Sequence, residues 1–405
     1  MASTKRHRLF IFIILGLLSA VGPFSIDMYL PGFDSIAASL HTTVAHIQLS
    51  LTSFFIGIAS GQIVYGPLLD RFGRKIPLIV GLVIYIAASV GCALTNSADN
   101  LMIYRFIQAL GSCGGMVASR AMVRDFFGPS ESAKVFSLLM LVIGISPILA
   151  PTVGSFVIAH WNWHGIFIVL AVITACILAV VSFFLPESRG PNPEMSLMPK
   201  PITQSYWQVF KTRQFFTYAF AGGLASSGLY AYLAGSPYIM VSLYGLDEKQ
   251  YGLVFAFIAS ALITASQLNS ILLNKYSSEK IAKIALVTQS SIGLMLTFLC
   301  VTGLINLWLM IGLIFLFLGS QGFVFPNTSA LALSPFSKLA GSASALMGSI
   351  QMGCGALSSA LVSYLHNETT VPMAAVMAGC AVLSLFILLA SSPKPAGSHP
   401  GRNHK

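Results

Sequence analysis

The sequence predicts an all-α membrane protein of twelve transmembrane helices in two pseudo-symmetric six-helix bundles, with both termini cytoplasmic. Three observations predict it. The 405 residues are 56% hydrophobic and only 8% charged, against roughly 25% charged in a soluble domain. Twelve runs reach the about 17 to 25 apolar residues that a bilayer crossing needs. Counted by connection from a cytoplasmic N-terminus, 20 of the 22 Lys and Arg residues fall on cytoplasmic ends, leaving Lys249 outside and Arg105 within a helix. The net charge of +10 is therefore an orientation signal, and no nucleic-acid partner is expected.

The first span, 9–30, follows Lys5, Arg6 and Arg8. It is too long for a secretory signal and has no small-residue cleavage site before Asp27 and Pro31. Spans at 47–69, 76–95, 101–123, 135–159 and 164–185 complete an N-terminal bundle, 1–185. Residues 186–212, with Pro186, Pro191, Pro193, Pro199 and Pro201, read as a cytoplasmic linker. The C-terminal bundle, 213–392, holds spans 213–243, 250–273, 281–303, 307–331, 342–365 and 371–391, and 393–405 is a solvated basic tail. A faint repeat supports the division: the segment from Leu68 to Lys75 is echoed from Leu272 to Lys280, each after the second span of its half. Parallel halves of this kind place a substrate site between them near the midplane. All six cysteines lie in apolar segments without CxxC spacing or clustered His, so they read as packing residues and no metal is expected.

Four stretches carry chemistry. In Ser25-Ile26-Asp27-Met28-Tyr29-Leu30-Pro31 a carboxylate sits in an apolar run, at a cost of about 2.5 to 3.5 kcal/mol on insertion scales, which makes it a functional residue by default. In the fourth span Arg105 and Gln108 share one helix face. Arg105 and Asp27 each lie about four residues from the outer end of their helix, so either they pair at similar depth or Arg105 snorkels outward. Between spans two and three, Gly66 to Lys75 combines glycines for a tight turn with Asp70, Arg71, Arg74 and Lys75, as a capped and paired junction or as a topological signal. In span five, Pro147 and Pro151, flanked by Gly144 and Gly154, bend a helix that packs closely on its neighbours. The remaining membrane amides and tyrosines, among them Gln48, Gln62, Tyr230, Tyr232, Asn327 and Gln351, either line a cavity or bind adjacent helices. Met28 and Tyr29, with Phe54 and Phe55, supply an apolar wall or pack the bundle.

Gly66, Leu68, Asp70, Arg71, Gly73, Arg74 and Lys75 resemble the loop signature G-x-L-x-D-R-x-G-R-R/K of the major facilitator superfamily. The resemblance implies a cytoplasmic gate, a latch between the halves, in the first copy only, because Asn274 and Ser277 replace its Asp and Gly in the second. The Arg105 segment resembles the superfamily's R-x-x-Q-G pattern, implicated in proton transfer, with Ala109 and Leu110 separating Gln108 from Gly111. The segment from Gly144 to Gly154 resembles its antiporter signature, with Ala150 and Ser155 at two of the glycines. Residues 25–31, with Asn327 to Leu331, Ala340 to Leu346 and Gln351, most resemble the bicyclomycin and chloramphenicol resistance (Bcr/CflA) drug:proton antiporters. That resemblance implies the major facilitator fold and proton-coupled efflux of small amphipathic antibiotics across the bacterial inner membrane by alternating access. It implies proton coupling at Asp27 and Arg105 and a substrate cavity reaching Met28, Tyr29, Gln108, Tyr232, Asn327 and Gln351. No cofactor is expected beyond the proton gradient, and a monomer suffices. A metabolite symporter of the same fold, a passive channel and an integral-membrane enzyme are the alternatives; for the last, no nucleophile triad, metal cluster or phosphate loop is found.

Overall fold

The computed structural model describes residues 5–127, 135, 146–147, 149–193, 198–336 and 339–391. Regular structure among them is helical throughout. The first half holds α1 (Lys5–Asp27), α2 (Phe33–Ser39), α3 (Val44–Phe72), α4 (Lys75–Leu94), α5 (Ala98–Phe126), α6 (149–161) and α7 (His164–Phe184). After α8 (Pro199–Lys211) come α9 (Arg213–Pro237), α10 (Glu248–Leu272), α11 (Ser278–Val301), α12 (Leu307–Leu333), α13 (Ala340–Tyr364) and α14 (Val371–Ser391). Side-chain caps mark several helix starts: Thr43, Ser97, Asp247, Ser277 and Asn306 each accept a hydrogen bond from a backbone N–H of the first turn.

Ten stretches among the described residues are long and apolar enough to cross a membrane. Much of the expected fifth span lies outside the described residues. The other expected span missing from the ten is α9, whose Gly, Ser and Tyr content dilutes its hydropathy. Its residues from Phe215 to Pro237 are almost all buried, so α9 meets other helices and needs no lipid-facing apolar surface.

The helices pack as two groups. In the first, α1 lies against α5 and α7, α3 against α5, and α4 against α5 and α7. In the second, α9 touches α12, α13 and α14, and α11 touches α12 and α14, while α10 packs on α12. The groups meet chiefly along α3 and α13.

Two features depart from expectation. The first span does not run unbroken to residue 30: α1 stops at Asp27, and a 3-10 turn, Leu30–Gly32, leads into α2. Pro31 lacks the N–H that would bond the Asp27 carbonyl, so the ladder ends there. Because the apolar stretch continues from Phe10 to Ser39, Asp27 lies near its middle rather than near its outer end. Irregular backbone at that depth is tolerated where protein covers it, and Leu30, Pro31 and Gly32 are all buried. The linker, in turn, contains a helix. Within α8, Tyr206 donates to the Ile63 carbonyl at 2.9 Å and so ties the linker to α3, while exposed Trp207 stacks beneath Lys211 of the same helix.

Candidate functional site

Arg105 is completely buried in the first group, and protein absorbs its charge. Its Nη2 donates to the Ser25 carbonyl at 3.0 Å and its Nη1 to Gln108 Oε1 at 2.6 Å. Gln108 Nε2 passes the chain on to Ser89 Oγ at 2.7 Å. The guanidinium also lies over the rings of Phe54 at 4.2 Å and Tyr29 at 4.7 Å. A carbonyl dipole, an amide oxygen and two ring faces thus replace part of the water the cation gave up, while Nε has no hydrogen-bond partner among the described residues.

Asp27 is equally buried, but the expected pair with Arg105 is absent: no ion pair or hydrogen bond joins them. Arg105 is taken up two residues earlier, by the Ser25 carbonyl. Asp27 instead stands within electrostatic range of Tyr230 and Tyr232 of α9 and Tyr251 of α10. The acid of the first group is thus felt by three phenols of the second. Tyr232 stacks on Phe255 at 5.7 Å, and the Tyr251 hydroxyl pairs with Ser236 Oγ at 3.1 Å. Tyr230 packs edge-on against Phe55 of α3 at 4.7 Å, and it also feels Arg120 of α5.

Around this centre the seam between the groups is polar. Thr52 of α3 and Ser359 of α13 share a hydrogen bond of 2.8 Å, and Gln62 presses on Gly348. Gln48, on the same α3, is buried with neither amide atom bonded. At one end of the seam Ser242 Oγ donates to both oxygens of Asp34 at 3.0 Å and joins the groups. At the other end, beside the junction of α3 and α4, a cavity of about 600 Å³ opens between α3, α5, α8 and α13.

The junction itself is clamped within the first group. Gly73, at φ +83°, takes the left-handed turn that favours glycine. Arg74 donates to Asp70 Oδ1 at 2.7 Å and to Asp125 Oδ2 at 2.9 Å. Burial works against the charge of Arg74, but its bonds to Asp125 and Asp70 outweigh it and hold its pKa above the usual value. The backbone N–H groups of Arg74 and Lys75 donate to Glu187 at 2.9 and 3.1 Å, Lys75 Nζ reaches the Ser182 carbonyl, and Arg71 reaches the Asn192 carbonyl. Gly66 and Asp70 line the cavity. These bonds fasten the junction to α5, the end of α7 and the linker. Tyr206, above the cavity, has its phenol pushed up to about 12 by burial and by the nearby Asp70 charge.

The structure distributes the remaining predicted residues. Tyr29 bonds Ser50 at 2.8 Å inside the first group, and Gln108 belongs to the Arg105 chain. The carbonyl of Met28 abuts Gly154, where a Cβ would collide with backbone, so α6 approaches α1 only because that residue is glycine. Pro147 and Pro151 lie on helical backbone, whereas Gly144 lies outside the described residues. Asn327 donates to Asn269 at 2.6 Å and to the Phe323 carbonyl, pinning α12 to α10. Gln351 is partly buried on α13, and Tyr232 comes within electrostatic range of Asp27 from the other half. Sequence reading took Arg120 for an orientation charge, although its place inside the expected span 101–123 was a signal of more. Nothing local in the sequence sets Tyr230 and Tyr251 opposite Asp27, because that encounter crosses the halves.

Comparison with known proteins agrees with this architecture. The family profile of the Major Facilitator Superfamily matches residues 15–359. A bicyclomycin resistance protein homolog of Haemophilus influenzae is 33% identical over 381 residues, covering 93% of this chain and 95% of its own. The multidrug resistance protein MdtL of Escherichia coli is 27% identical over 94% of this chain and 96% of its own. Among solved structures, a D-xylose–proton symporter superposes with a TM-score of 0.74 at 15% identity, over 96% of this chain and 98% of that one. The chain therefore belongs to the major facilitator superfamily of transporters and, within it, to the family of its bicyclomycin-resistance relative.

Proposed function

We propose that this multi-pass membrane protein is a proton-coupled exporter of small amphipathic drugs, working as a monomer in the bacterial inner membrane by alternating access of two halves, 1–185 and 213–392. Residues 186–212 would connect them on the cytoplasmic side, where both termini lie. The observation that carries the reading is Asp27: a carboxyl group buried at a helix break, without a cation partner among the described residues, and within electrostatic range of tyrosines of the other half. A group so placed senses how far apart the halves stand. When they separate, water replaces protein around it; when they close, the phenols return. Its proton affinity changes with that exchange of surroundings, which is the property a proton-coupled transporter requires. Each charge moved gains about 2.3 kcal/mol per 100 mV of membrane potential. The cavity beside the α3–α4 junction would be the cytoplasmic entrance, with the Asp34–Ser242 contact closing the outer side. The resistance names of the relatives support drugs as the cargo.

The test is Asp27→Asn in an efflux-deficient host and in purified protein. Loss of both drug resistance and drug-induced proton release, with normal amounts of protein in the membrane, is the expected result. Full resistance and proton release in the variant would remove Asp27 from the coupling step.

A further inference from the structure

Four arginines and two aspartates line the cavity beside the α3–α4 junction. Both carboxylates are taken by Arg74. Arg120, Arg124 and Arg189 are left, and none of them has an ion pair or hydrogen bond among the described residues. Arg124 and Arg189 are exposed at the mouth, where water serves them, but Arg120 is partly buried and stands deeper, within electrostatic range of Tyr230. A guanidinium without partners among the described residues, half-buried in a cavity, is free to bind a ligand. Its planar fork matches the paired oxygens of carboxylates and phosphate-type acids. Val117 beside it and Ile202 and Tyr206 opposite offer apolar surface to the rest of the molecule. About 600 Å³ is room for a drug-sized compound.

We infer that this cavity selects amphipathic compounds carrying an acidic group, held at Arg120, and disfavours cationic ones. The inference rests on the export reading for its biological meaning, but it concerns binding and is tested separately.

The probes are three charge forms of one scaffold: 1-naphthylacetate, 1-naphthylacetamide and trimethyl(1-naphthylmethyl)ammonium, titrated calorimetrically into the purified full-length protein. The acid is expected to bind at least about tenfold tighter than the cation, with the amide between them. Arg120→Gln should bring acid and cation within about threefold, and Arg120→Lys, which keeps the charge, should preserve the order and so exclude a folding defect. A cation that binds wild-type protein as tightly as the acid, or an order unmoved by Arg120→Gln, would overturn the inference. Proton-gradient-driven movement of the amide in everted vesicles judges the export reading alone. If that movement is absent and the charge order holds, the export reading falls and the acid site stands; if it is present and the order is missing, the acid site falls.

Discussion

Arg105 and Arg120 stand on the same helix, and the protein treats their charges in opposite ways. Arg105 is surrounded by groups of its own half: the Ser25 carbonyl, Gln108 and the rings of Phe54 and Tyr29. Arg120 faces a cavity between the halves, where the two available carboxylates are already bound to Arg74. A membrane protein meets the cost of an interior cation either by supplying partners from the fold or by leaving the place for a ligand. The first solution makes the arginine part of the scaffold. The second leaves it open to the cavity between the halves. Both arginines look alike in sequence, and only their surroundings assign them.

The largest effect that separates them is on stability. Arg105→Ala removes two charge-assisted hydrogen bonds, leaves Gln108 Oε1 without its donor and opens a cavity under the aromatic rings. A loss of about 3–5 kcal/mol is expected, read as a fall of many degrees in the melting temperature of detergent-purified protein. Arg120→Ala removes a cation that has no partner among the described residues, so the stability should stay within about 0.5 kcal/mol of wild type or rise. Equal melting losses in the two variants would erase the distinction between scaffold and cavity.

Arg74 offers an intermediate case. It is buried and doubly ion-paired, yet it stands at a helix junction rather than in the membrane interior. Arg74→Ala should cost about 2 kcal/mol, the scale of hydrogen bonds to charged groups. Hydrogen exchange should locate the loosening at residues 70–75 and at the end of α7, where Glu187 also binds the junction. The same substitution frees Asp70 and Asp125 within the cavity and adds negative charge there, so it should weaken 1-naphthylacetate binding while leaving Arg105 and its neighbours protected.

The helical architecture was legible in the sequence because spanning helices are written locally, as runs of apolar residues and caps such as Thr43 and Asp247. Asp27 was legible because a carboxylate in such a run is costly. Its partner was not. Depth counting along two separate helices placed Arg105 beside it, but that count assumed an unbroken first span, and Pro31 ends the helix at Asp27 itself. The tyrosines within range of Asp27 come from the second half, and no spacing within either half reports a contact across the seam. The same limit applies to Asn327, whose bond to Asn269 pins α12 to α10. A helical periodicity shows that a residue faces inward; whether inward means a neighbour or a passage depends on packing between helices distant in sequence.

The smallest expected effect concerns the end opposite the cavity, where Ser242 donates to both oxygens of Asp34 and the halves touch. The contact is exposed, so Ser242→Ala should change stability by less than about 1 kcal/mol. Less than 1 kcal/mol still alters a two-state ratio by up to about fivefold, and in a transporter that ratio is the balance between the end that is closed and the end that is open. Spin labels at Ala38→Cys and Leu243→Cys, on either side of the contact and both exposed, report it in protein stripped of its native cysteines. Removing the Ser242 hydroxyl should increase the population of long label distances several-fold without a change in melting temperature. An unchanged distance distribution would mean that this end is held by the apolar packing of Leu30, Pro31 and Phe33 alone, and that the difference between the two ends of the seam lies in shape rather than in polar contacts.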